Sequence, residues 1–162
     1  MSKLKLSSFV LFVNDVSISK NFYETNVDQE VTLSINDINV GFKSGLALWQ
    51  KQYAEKIIFE KEMESNKDQS SFEIYFETSQ IEELFEKMQK NNVKILHPVK
   101  IQPWQQRVFR IYDPDDYIIE IGETMDMVVK RLKNDGLSVE SICTKTFMPK
   151  EIVEAMLLQS NS

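Results

Sequence analysis

The sequence predicts an α+β fold in which two β-α-β-β-β modules pair into a cupped sheet around a cavity, with a C-terminal helical extension. Three observations predict it. Short β-branched and aromatic runs of strand length are separated by turn pairs, and helical spacing interrupts them once near the start of each half. The order strand, helix, three strands occurs twice. A shift of 63 residues lays Phe9 on Phe72, Leu11 on Ile74, Val13 on Phe76, Ile18 on Ile81 and Phe22 on Phe85. A shift of 65 fits the strand ends better and keeps the same strand parity, so the duplication is read with its register open. Beyond Glu123, finally, the two-residue alternation stops and helical spacing takes over.

In the first module, "LSSFVLFVND" reads as a strand that ends at an Asx pair. "VSISKNFYETN" has Ile18 and Phe22 four apart, a helical interval, with Ser17 as the expected N-cap. "QEVTLSIND", "INVGFK" and "GLALWQK" follow as strands, separated by the turn pairs Asn36-Asp37 and Ser44-Gly45. "YAEKIIFEKEMESNKDQ" carries dense mixed charge without alternation and reads as a short helix running into a solvated connector.

In the second module, "SSFEIYFETS" is a strand and "QIEELFEKMQKNN" a helix with Ile81, Leu84, Phe85 and Met88 on one face. "VKILHPVKI", "QQRVFRIYD" and "DYIIEIGE" complete it. Between the last two, "DPDD" is a turn, with Pro114 suited to its second position. The expected domain covers residues 1–124, with modules over about 6–52 and 70–123. The appendage covers 125–162. In it, "TMDMVVKRLKNDG" is a helix closed by Gly136, Ser138 caps the next, and a turn near Phe147-Met148 leads to Pro149 at the start of the last.

Composition narrows the function classes. The 162 residues are 42% hydrophobic and 27% charged, ordinary values for a soluble globular protein. A net charge of −6 argues against binding nucleic acid or an anionic membrane through the general surface. Cys143 is the one cysteine, which excludes an internal disulfide and cysteine-rich zinc sites and fits a reducing cytoplasm. The apolar run Phe9–Val13 is too short for a signal core or a membrane span. A cytoplasmic location is expected.

A β-α-β-β-β unit covers one sheet face with its helix, and two such units are expected to close their other faces around a cavity. Phe72, Ile74 and Phe76 then face the helix, and Glu73, Tyr75 and Glu77 face the cavity. By the same alternation Glu120 faces the cavity between Ile119 and Ile121, and Arg110 and Tyr112 share a side opposite Phe109 and Ile111.

The duplicated units, "FVNDVSISKNFYETNV" and above all "WQQRVFRIYDPDDYIIEIGE" resemble the glyoxalase/bleomycin-resistance/extradiol-dioxygenase (vicinal oxygen chelate) superfamily over about residues 6 to 123. The resemblance implies a homodimer. In metal-dependent members, ligands come from the first and last strands of each unit. Those positions fall here at Ser8, within Leu46–Trp49, at Glu73 and at Glu120. Only Glu120 matches. Two carboxylates without an imidazole are a poor set for zinc, nickel or iron, and a weak one for magnesium or manganese. No resident metal or other cofactor is expected; Glu120 and Glu73 would be its ligands if one were held.

Three functions are weighed. The leading one is binding or sequestration of a small organic molecule in the cavity, as the bleomycin-resistance resemblance implies, with Trp49, Tyr75, Trp104, Arg110 and Tyr112 as ligand contacts. Trp49 and Trp104 can stack on a planar or cationic ligand, or serve as rim packing or a subunit interface. The second is a lyase or isomerase like lactoylglutathione lyase, with Glu73 and Glu120 as general acid and base and a loosely held divalent ion. Against it, and favoured over it, the two glutamates form a buried network with Arg110 or Arg107. The third is a ligand-sensing regulator acting through the C-terminal helices, which resemble helix-turn-helix fragments with Phe147 where a turn glycine is usual. Residues 126–162 hold five basic and five acidic side chains, so nucleic-acid binding is not expected. His97, before Pro98, reads as a turn or strand-end residue rather than a catalyst.

Overall fold

The computed structural model describes residues 7–59 and 72–159. They form two compact units: residues 7–59 with Asp113–Tyr117, and Phe72–Tyr112 with residues 118–159. The charged connector expected after the first module lies largely at 60–71, outside the described residues.

The first unit runs β1 (Phe9–Val13), α1 (Val16–Asn26), β2 (Val31–Ile35), β3 (Asn39–Phe42), β4 (Leu46–Gln50) and α2 (Lys51–Phe59). Its sheet order is β1-β4-β3-β2, with β1 parallel to β4 and the other pairs antiparallel. Leu11, Leu48 and Val40 lie in one cross-strand row and are buried. Tyr23 of α1 meets Phe42 on that face, ring centroids 5.7 Å apart.

Helix α1 starts earlier than the sequence suggests. Asp15, in extended backbone, is its N-cap and accepts from the Ile18 N–H at 2.9 Å. Ser17, the expected cap, instead donates to Asp37 Oδ1 at 3.0 Å. Starting at Val16 turns Val16, Ser19, Phe22 and Tyr23 inward and leaves Ile18 57% exposed.

The "DPDD" turn between the last two strands belongs to this first unit. Its Asp116 N–H donates to the Asp113 carbonyl at 3.1 Å, and its carboxylates tie down α1. Asp115 accepts from Asn14 N, Asn14 Nδ2 and Ser19 Oγ. Asp113 is buried and accepts from Tyr23 Oη, Asp115 N and Tyr117 N, each at 2.9 Å. Burial outweighs these three hydrogen bonds, and the Asp113 carboxyl is pushed up to about 6.

The second unit repeats the topology with β5 (Glu73–Thr78), α3 (Ile81–Lys90), β6 (Ile95–Ile101), β7 (Arg107–Tyr112) and β8 (Ile118–Glu123), in the order β5-β8-β7-β6. As the spacing predicts, Ile81 and Met88 of α3 are buried, and Phe85 meets Phe109 edge-on at 5.1 Å. Then come α4 (Met125–Asn134), α5 (Val139–Thr146) and α6 (Lys150–Gln159). Val128, Val129, Leu132, Ile142 and Val153 form their shared core.

Gly136, at φ 85°, closes α4: its N–H donates to the Lys133 carbonyl and the Leu137 N–H to the Leu132 carbonyl, a Schellman pattern. Ser138 caps α5 by accepting from Ser141 N at 3.2 Å. Phe147 ends α5 in the left-handed region, φ 59°, with 75% of its surface exposed. Pro149 lies one residue before α6 rather than inside it, and its carbonyl accepts from Val153 N.

Two outcomes follow. Because the Asp113 carboxyl sits at about 6 when folded and near 3.8 in the unfolded chain, its favourable contribution is complete below the unfolded value and is lost as pH rises through the folded one. Urea unfolding should therefore show the stability of the parent, relative to Asp113→Asn, declining between about pH 4 and 6 and level above; a pH-independent difference would contradict it. Phe147→Gly removes left-handed strain without losing packing and should stabilise by roughly 0.5–1 kcal/mol, against destabilisation if Phe147 is packed.

Candidate functional site

The face of the second sheet opposite α3 carries most of the polar residues the sequence singles out. Parallel pairing sets Tyr75 beside Glu120, and antiparallel pairing sets Glu120 beside Arg110 and Arg110 beside His97. These four residues form one row across all four strands. Arg110 is its centre. Its Nε donates to Glu73 Oε2 at 2.7 Å and its Nη2 to Glu73 Oε1 at 3.2 Å, a two-pronged contact. Nη2 also pairs with Glu120 Oε2, a buried oxygen that accepts no hydrogen bond of ordinary geometry. Nη1 lies 3.1 Å from His97 Nε2.

That last contact fixes the imidazole tautomer. A guanidinium only donates, so Nε2 accepts, and the proton on Nδ1 points to the Pro98 carbonyl 2.8 Å away. Arg110 also serves two carboxylates, so the formal charges of Glu73, Glu120 and Arg110 leave one negative charge in excess.

Beside it, Tyr75 donates to Glu77 Oε1 at 2.9 Å and accepts from Gln106 Nε2 at 2.7 Å. Burial, then the Glu77 carboxylate, push its phenol up. The Trp104 indole donates to Gln106 Oε1 at 2.8 Å. Tyr112 lies farther along the same face, with Lys94 Nζ 4.5 Å from its ring centroid. Trp49 belongs to the first unit, where it meets Phe12 edge-on at 6.2 Å on a sheet face that also carries Val10 and Ala47.

Two sequence expectations change. Arg107 does not serve Glu73 or Glu120. It lies on the α3 side, where its Nη2 pairs with Glu123 at 2.7 Å and its Nη1 with Glu82. Arg131 of α4 joins at 3.1 Å, so Glu123, 1% exposed, ties β8 to β7 and α4. Burial alone would raise the Glu123 carboxyl, but hydrogen bonds from Arg107 and Arg131 and their charges hold it below the usual range. His97 is not a strand-end residue either. Strand β6 runs from Ile95 to Ile101; Ile95 pairs with Ile111 on the α3 side, and a register shift between Ile95 and His97 turns the imidazole to the other face, beside Arg110.

A divalent metal does not fit this set. An ion on Glu73 and Glu120 would have to displace the guanidinium that holds them both. Among the described residues, no three His, Cys, Asp or Glu side chains converge as a ligand set. Ser8 and the Leu46–Trp49 strand offer nothing further.

A model of the glyoxalase-like domain matches residues 6–126. The chain belongs to that family. Similar solved structures share the fold of this glyoxalase-like chain. A protein of unknown function from Agrobacterium tumefaciens is 28% identical at a TM-score of 0.70, covering 76% of this chain and 97% of its own. A lactoylglutathione lyase from the same organism is 19% identical at 0.54, covering 72% and 91%. A glyoxalase/bleomycin resistance protein/dioxygenase from Nocardioides is 19% identical at 0.59, covering 76% and 85%. No protein of curated function matches. In this glyoxalase-like chain, no helix among the described residues is long and apolar enough to cross a membrane.

Sequence reasoning overlooks Gln106 and Gly122. Gly122 had a signal: an isolated glycine inside an apolar strand marks a close approach by another group. Gln106 had one too: in "QQRVFRIYD" it alternates in phase with Val108 and Arg110, although β7 itself starts at Arg107.

Arg110→Ala would leave a buried carboxylate and a half-exposed one unpaired, a loss of roughly 2–4 kcal/mol. Chemical denaturation measures it, and no change would mean that the ion cluster contributes nothing. The double change Arg110→Met with Glu120→Leu should recover most of the loss, because no buried charge then remains alone.

Proposed function

We propose that this glyoxalase-like protein binds a small organic molecule bearing a planar, positively charged group, on the open face of its second sheet and without a resident metal. One observation carries the reading: two carboxylates, Glu73 and Glu120, share the single guanidinium of Arg110, leaving that face a negative charge in excess. The aromatic side chains of Tyr75 and Trp104 lie beside the excess, an arrangement suited to cation–π and stacking contacts. An anionic ligand would meet the more exposed Glu73 and Glu77 before reaching Arg110.

The lyase or isomerase reading has less support. General acid–base work needs a carboxyl free to reach a substrate atom, and both carboxylates are engaged by Arg110. The regulator reading rests on the C-terminal helices, whose apolar residues pack mainly against one another.

Isothermal titration with 1-methylquinolinium and with quinoline-2-carboxylate tests the proposal. The cation should bind and the carboxylate should not. Glu73→Gln should weaken the cation by about tenfold, the effect of one charge a few ångströms away in a partly solvated site. Equal binding of both compounds, or of neither, would sink it.

A further inference from the structure

We infer that Gln106 is a positioning residue that sets both aromatic side chains of the ligand face, and that Gly122 is glycine to make room for it. The inference deepens the binding function proposed above and rests on it only for the effect on ligand.

The oxygen and both N–H groups of the Gln106 amide are committed, and the residue is 4% exposed. Its oxygen accepts from Trp104 Nε1 at 2.8 Å. Its nitrogen donates to Tyr75 Oη and to the Glu123 carbonyl, both at 2.7 Å. The orientation is unambiguous. An indole N–H can only donate and a peptide carbonyl can only accept, so a reversed amide would set donor against donor and acceptor against acceptor. Tyr75 spends its own proton on Glu77, so its hydroxyl is fixed from both sides. One buried amide therefore orients the indole and the phenol together.

Gly122 supplies the space. Its backbone is outside the left-handed region, so nothing in its conformation calls for glycine. A Cβ at this position would come within 2.8 Å of Gln106 Nε2 and within 3.0 Å of Tyr75 Cε2 and Oη. Val108 and Glu77 flank it across the sheet, which places it on the same face as Glu120. The gap above β8 is filled by the amide and the phenol, and a methyl group would push both away.

Gln106 also braces its loop, since its carbonyl accepts from Gln102 N at 2.8 Å. A purely structural role predicts a change in stability alone. Positioning predicts more, and the readout is Trp104 in a Trp49→Phe background, where it is the only indole. Gln106→Met should shift Trp104 emission to the red, diminish its near-ultraviolet circular dichroism and raise its quenching by acrylamide. Gly122→Ala should do the same. If Gly122→Ala fails to fold, Gln106→Met alone decides the matter, and the Gly122→Ala cost should shrink when Gln106→Ala is added.

Binding of 1-methylquinolinium should weaken about tenfold in Gln106→Met, because two aromatic side chains must then be ordered on binding. Unchanged Trp104 spectra and quenching in Gln106→Met overturn the inference. If the spectra change but 1-methylquinolinium never bound the parent, positioning stands and the proposed ligand class falls.

Discussion

Everything on the candidate face depends on the two-residue alternation of strands that carry a helix on one side only. In the second unit, Ile74, Phe76, Phe109, Ile111, Ile119 and Ile121 all fall on the α3 side of the pleat. The residues between them are thereby turned the other way, whatever their chemistry. Tyr75, Glu120 and Arg110 become neighbours because each occupies the same phase of a different strand, and a register shift in β6 brings His97 beside them. A slip of one residue in any pairing would send that strand's apolar set out and break the polar row.

Such a row is stable only if its charges are matched. Glu120 is buried in mid-strand, where an unpaired carboxylate would be costly. Arg110 opposite it provides the counter-charge, and its planar fork has donors left for Glu73 and His97. The same guanidinium that makes the glutamates tolerable makes them poor metal ligands. Structural need and ligand chemistry are set by one side chain.

The other side of the sheet solves a similar problem differently. Glu123, two-sidedly bound by Arg107 and Arg131, is an anchor for α4 and faces away from the candidate site. The three C-terminal helices are joined by local devices that follow directly from residue type, the Schellman closure at Gly136 and the Ser138 cap. Phe147 is the exception, a bulky side chain at a backbone angle that favours glycine.

Local pattern was enough for the modules, the helical appendage, the α3 face and the phase of Glu73, Tyr75, Arg110 and Glu120, because periodicity and turn chemistry act over a few residues. Partner choice was not accessible in the same way. That Arg110 rather than Arg107 meets the two glutamates, that His97 joins them, and that Gln106 reaches Tyr75 through the space left at Gly122 all depend on strand register between residues up to 37 apart in the chain. The sequence alone determined which way the side chains of β5, β7 and β8 point. Only the tertiary structure decided which of them meet, because pairing between distant strands is set by the packing of whole faces and not by any one residue.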